Sequence, residues 1–154
     1  KKDNRSYRVF TIMGDGELAE GSIWEASMSA SHYKLDNLVV IIDRNTLQIT
    51  GRTESVMALE PLAERFAAFG YAVRSVAGND IAALVDVFDQ APFAPGKPNL
   101  IIARTTKGKG VSFIEDAADW HHHVPTAAEL TTALAELDQA EARRQERYAT
   151  QPTR

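Results

Sequence analysis

Apolar positions along the chain follow two rhythms. Four short runs read as strands: residues 8–13 (Arg-Val-Phe-Thr-Ile-Met, stopped by Gly14), 38–42 (Leu-Val-Val-Ile-Ile, without polar alternation), 71–76 and 99–104. Their β-branched and aromatic content predicts buried strands. The run 38–42 suits a central parallel strand covered on both faces. Between the runs the spacing turns helical. Over residues 17–33, Leu18, Ile23, Trp24, Met28 and Ala30 favour one side. Residues 60–69 predict a helix with Pro61 near its first turn and Gly70 as its stop. Residues 80–90 predict another. Thr126 and Glu129 match a capping box that opens a long helix of mixed charge reaching about Arg147. The stretch 92–98 holds three of the six prolines and reads as a turn-rich link. Residues 105–125 read as a loop.

Strands alternating with helices predict an α/β fold with a mainly parallel sheet, helices on both faces and right-handed crossovers. Repeats and low-complexity tracts are absent. Ligands of such sheets bind beyond the carboxyl ends of the strands, which directs attention to the loops starting at Gly14, Asp43 and Thr105. A dinucleotide-binding Rossmann turn is disfavoured, because the turn at Gly14 lacks a Gly-x-Gly-x-x-Gly run.

Composition narrows the classes. With 154 residues the chain makes one domain or part of one. The 44% apolar content is that of a globular chain with its own core. A net charge of −4, from 17 basic and 21 acidic residues, argues against a broad nucleic-acid surface. No run approaches the ~18 apolar residues of a membrane span, and no signal-peptide pattern opens the chain. Without cysteine there is no disulfide, no Cys-ligated zinc and no thiol nucleophile; a reducing, cytoplasmic setting is expected. The chain opens Lys1-Lys2-Asp3 rather than with Met and enters a strand at once, which leads us to expect a piece of a longer protein.

The chemistry-bearing residues gather in the three loops. Gly14-Asp15-Gly16 lies between a strand and a helix, where glycines let backbone N–H groups approach an anion and the helix start adds partial positive charge. A bare Asp15 would repel a phosphate unless a divalent cation bridged the two. Asp15 as a simple helix cap is the alternative. In the second loop, Asn45 follows Asp15 by 30 residues. An amide oxygen beside one carboxylate is a hard-oxygen set suited to magnesium, although Asn also serves plain turns. The third loop carries His121-His122-His123, open to acid–base work, to a metal or to no role beyond a solvated loop. Three adjacent histidines do not converge on one metal without an awkward backbone. Lys107-Gly-Lys-Gly110 reads either as a phosphate-binding turn or as a glycine turn with exposed lysines. His32 is read as structural, and Trp24 as core or interface packing.

Taken together, Gly14-Asp15-Gly16-Glu17, Glu20-Gly21, Trp24-Glu25-Ala26 and Asn45 resemble the thiamine diphosphate motif, and the part from Glu20 to Ala26 resembles transketolase in particular. Thr105-Thr-Lys-Gly-Lys-Gly110 and Asp119-Trp-His121 extend the resemblance over about residues 8–138, with wording similar to the N-terminal subunits of split transketolases. The resemblance implies that Asp15, the Asn45 side chain and the Leu47 carbonyl bind magnesium, and that Gly14 and Gly16 admit the diphosphate. It also implies that Ile49 lies against the cofactor rings, that Glu20 sits at a subunit interface and communicates with the pyrimidine-activating glutamate, and that His121 touches the diphosphate and assists proton transfer. His122 stands where the family often has Gly. Many full-length transketolases carry an apolar residue in place of Lys107, which would alter the charge if it faced the cofactor.

The implied reaction moves a two-carbon ketol unit between sugar phosphates. Residues 1–150 would form the C-terminal portion of the diphosphate-binding domain, with 151–154 a frayed tail. The partner would be a pyrimidine-binding (C-terminal) transketolase subunit or domain, in a dimer or heterotetramer, with no nucleic acid and no membrane involved. The piece alone is expected to be inactive. A deoxyxylulose phosphate synthase, or a cofactor-binding subunit without catalysis, are the other readings.

Overall fold

The structure is a computed structural model that describes residues 1 and 3–150, the last four of these by backbone alone. The tail expected at 151–154 lies outside the described residues. All four anticipated strands form: β1 (Val9–Gly14), β2 (Leu38–Arg44), β5 (Ala72–Ala77) and β6 (Asn99–Arg104). They make one fully parallel sheet in the order β1-β2-β6-β5. Two short strands, β3 (Leu47–Gln48) and β4 (Gly51–Arg52), pair antiparallel in a separate hairpin.

Alternation along the sheet assigns its two faces. Val40, Ile42, Leu100 and Ile102 point one way and are covered by α1 (Gly21–His32) and α3 (Leu62–Ala68), through Ala30, Leu62 and Phe66. Val39, Ile41, Ile101 and Ala103 point the other way, under Val87 of α4 (Ile81–Asp89). Both faces of β2 and β6 are therefore buried, which is why those segments carry continuous apolar runs. A short helix α2 (Thr53–Val56) follows the hairpin, and α5 (Ala127–Thr150) runs out from the third loop. Among the described residues no helix is long and apolar enough to cross a membrane.

Three expectations need correction. One helix does not span 17–33. A 3-10 turn occupies Asp15–Ala19, the chain steps out at Glu20 (φ −75°, ψ 123°), and α1 starts afresh at Gly21. The Glu17 carboxylate accepts the Gly14 N–H at 2.5 Å and the Glu17 carbonyl accepts the Glu20 N–H at 2.9 Å, closing the turn as a separate unit. Met28 does not join the buried side of α1 but is exposed. Pro61 caps α3 from outside rather than opening its first turn. Trp24 does pack in the core, its ring 5.2 Å from Phe66 and 5.6 Å from Phe69, and His32 lies edge-on to Tyr33.

Candidate functional site

Parallel pairing places the first two loops side by side. The register sets Gly14 of β1 opposite Asp43 of β2, so Asp15 and Arg44 emerge together at the carboxyl edge. The hairpin folds over this edge, and the third loop closes its far side. Between them is a cleft of about 570 Å³, within the usual range for small-molecule sites. All eight residues singled out from the sequence, Gly14, Asp15, Gly16, Glu20, Asn45, Leu47, Ile49 and His121, line it, together with Lys107. Of the three histidines it is His121 that reaches the cleft. His122 sits edge-on to His121, while His123 packs against Trp120 and lies 3.3 Å from Glu129.

Asp15 is not a helix cap. It is 1% exposed, and its Oδ2 accepts the Arg44 Nη1–H at 2.9 Å and the Thr46 N–H at 2.7 Å. Its Oδ1 is the only buried side-chain N or O atom among the described residues without a hydrogen-bond partner. A buried carboxylate oxygen with nothing to accept is costly, and a hard cation is the group that would satisfy it. Asn45 is oriented from both ends. Its Nδ2–H donates to Asp43 at 3.1 Å and its Oδ1 accepts the Leu47 N–H at 3.0 Å, leaving one lone pair of that oxygen for a further partner. Asp43 is itself held by the Thr105 hydroxyl from the end of β6. No group of three or more His, Asp or Glu side chains able to hold a metal occurs among the described residues. A cation here would rest on one carboxylate, one amide oxygen and a backbone carbonyl, as magnesium does when phosphate and water complete its shell.

Backbone geometry supports a close approach. A Cβ on Gly16 would come within 2.9 Å of the Gln48 Cβ, so the hairpin lies against this turn only because the residue is glycine. Thr46 has φ 69°, a left-handed conformation that costs a β-branched residue on the order of 1–3 kcal/mol. It is fixed by its N–H to Asp15, its hydroxyl accepting from Arg52 at 2.8 Å and its carbonyl accepting the Thr53 N–H at 2.9 Å. Arg52 also pairs with Asp116, tying the hairpin to the third loop.

Charge in the cleft is unbalanced. With Asp15 paired to Arg44, Glu17, Glu20 and Asp43 still outnumber Lys107 in the cleft, so a diphosphate entering without a cation would meet net repulsion. The His121 pKa is lowered, first by desolvation and then by the positive charges of Lys107 and His122, which favours the neutral imidazole. Sequence reasoning misses Arg44, which is 7% exposed and touches Asp15, Thr53, Glu54 and Glu60. The available signal is a charged residue at the end of a wholly apolar strand.

The family described as "Transketolase, thiamine diphosphate binding domain" matches residues 2–142. The chain is 48% identical over 139 residues to an apulose-4-phosphate transketolase subunit of Phocaeicola vulgatus, covering 90% of this chain and 50% of that protein. It is 41% identical over 136 residues to a 6-deoxy-6-sulfo-D-fructose transketolase subunit of Clostridium sp., covering 88% and 50%. Its fold superposes on transketolase from Pichia stipitis, solved with sedoheptulose-7-phosphate, with a TM-score of 0.78 and 29% identity over 85% of this chain and 19% of that one. The chain thus spans about half the length of these curated subunits. It belongs to the transketolase family, as thiamine diphosphate-binding domain sequence of the kind found in the N-terminal subunits of split transketolases.

Proposed function

We propose that this chain anchors thiamine diphosphate through a magnesium ion and forms the diphosphate-binding part of a transketolase that moves a two-carbon ketol unit between sugar phosphates. The unpartnered Asp15 Oδ1 in the cleft wall carries the reading. Asp15, the Asn45 amide oxygen and the Leu47 carbonyl would hold the cation. The backbone at Gly14 and Gly16 and the Lys107 ammonium would hold the diphosphate, with Ile49 against the rings. Bound thiamine diphosphate supplies the electron sink that cleavage next to a carbonyl requires. His121, whose charged form its surroundings disfavour, would take or return a proton at the substrate oxygen. Glu20 faces a partner that brings the pyrimidine-binding half, in a dimer or heterotetramer. Relatives named for apulose-4-phosphate and 6-deoxy-6-sulfo-D-fructose support a sugar bearing an anionic terminus as substrate. A cytoplasmic setting, suited to a cysteine-free chain, belongs to the same proposal.

Thiamine diphosphate titrated into the full-length protein, with magnesium and with a chelator, tests this. Binding should require magnesium, and Asp15→Ala and Asn45→Ala should each weaken it by about tenfold or more, the scale on which even outer-shell ligand partners act. Equal affinity with and without the cation would refute the assignment.

A further inference from the structure

Arg44 reaches the candidate cation site from behind. Its guanidinium does not line the cleft. It approaches Asp15 from the protein interior, with Nη1 2.9 Å from Oδ2 and 2.7 Å from the Thr53 hydroxyl. Nη2 lies 2.8 Å from Glu54 and 3.0 Å from Glu60. A guanidinium stays charged throughout the physiological range, so the side chain is a permanent cation one hydrogen bond from the carboxylate. Oδ2 is saturated by Arg44 and Thr46, so a cation finds one oxygen, Oδ1, rather than a chelating pair. The negative charge of Asp15 is also largely spent on Arg44, so a divalent ion arriving alone meets an amide, a carbonyl and a carboxylate already neutralised.

We propose that Arg44 is a positioning residue that makes cation capture conditional on the diphosphate: the site holds the ion poorly until the ligand's own charge arrives. This rests on the function proposed above. Glu54 and Glu60 set the strength of the effect, since each draws part of the guanidinium charge away from Asp15.

Manganese replaces magnesium in the test, with free ion counted by electron paramagnetic resonance in the full-length protein, alone and with thiamine diphosphate. In the unmodified protein the ligand should tighten manganese binding within the roughly 5–150-fold range of coupled sites. Arg44→Gln should tighten binding of manganese alone by several-fold and shrink the enhancement, and Arg44→Lys, which keeps the charge, should restore it. A merely structural role would weaken both affinities together and leave their ratio unchanged. Should Arg44→Gln fail to fold, Glu54→Gln combined with Glu60→Gln carries the opposite sign: manganese alone should bind more weakly. No enhancement by thiamine diphosphate in the unmodified protein would overturn the proposed function itself. Normal enhancement there, unaltered in Arg44→Gln or in the paired glutamate variant, would overturn the role of Arg44 alone.

Discussion

At the residue scale, the proton inventory of His121 is the most direct handle on the cleft. Desolvation, Lys107 and His122 all disfavour its charged form. Its NMR titration midpoint should therefore fall below the ordinary imidazole value, and Lys107→Met should move it back up by removing a nearby cation. An unchanged midpoint in that variant would mean that the two side chains do not share the cleft in solution. The linkage sign follows. The folded state binds fewer protons at this group than the unfolded state, so its contribution favours folding above the unfolded pKa and declines as pH falls toward the folded one. Asp15 and Asn45 directly follow strand ends and are readable as a pair rather than singly, and His121, 17 residues past the end of β6, is reached only through the family resemblance. Arg44 and Asp43 are legible in neither way. Their work is to hold other side chains, and an Arg that neutralises an Asp 29 positions earlier leaves no local pattern.

At the scale of elements, the sheet divides its labour between its ends. Asn99 opens β6 at the end opposite the cleft and is fully buried. Its Oδ1 accepts the Phe93 N–H at 2.7 Å, and its Nδ2 donates to the carbonyls of Asp36 at 2.8 Å and Leu38 at 2.9 Å. It thereby stitches the proline-rich link and the entry to β2 onto the sheet. Asn99→Ala should lower unfolding stability by about 2–4 kcal/mol, since each buried group left without a partner costs on the order of 1–3 kcal/mol. Thiamine diphosphate affinity, measured well below the melting temperature, should stay unchanged. Urea denaturation beside ligand titration separates the two, and a matching loss of affinity would show that the ends of the sheet are coupled. Strands β2 and β6 are legible because both of their faces are buried and their central residues are apolar, whereas β1 and β5, at the sheet edges, are read from shorter apolar stretches. The β3–β4 hairpin is not. Two residues a strand carry no periodicity, the turn at Ile49 and Thr50 holds neither glycine nor asparagine, and the chain enters β3 through Thr46 at φ 69°, where glycine or asparagine would have signalled the bend. The break at Glu20 escapes for a similar reason: apolar spacing continues across it while the backbone does not.

At the scale of the whole molecule, apolar surface and the cleft both face outward. The register puts Phe10 and Ile12 of β1 on the same face as Val39 and Ile41, yet Ile12 is 73% exposed where Ile41 is 8% exposed. The sheet thus shows at β1 an apolar face that α4 covers only in part, Phe88 meeting Phe10 edge-on at 6.0 Å. On α5, Leu130, Leu134 and Leu137 are exposed at helical spacing. Glu20 and Ile49 line the cleft from exposed positions. On the proposed function, the diphosphate end of the site would be built from this chain and the pyrimidine end from a partner. Residues 1–154 produced alone should show no ketose consumption with thiamine diphosphate, magnesium and an aldose phosphate acceptor. Turnover should appear when the full-length protein is combined with its pyrimidine-binding partner, and it should then depend on Glu20, with Glu20→Gln lowering kcat more than it weakens thiamine diphosphate binding. Steady-state rates set beside a binding isotherm make that comparison. Turnover by residues 1–154 alone would mean that the proton chemistry assigned to the partner lies within these three loops.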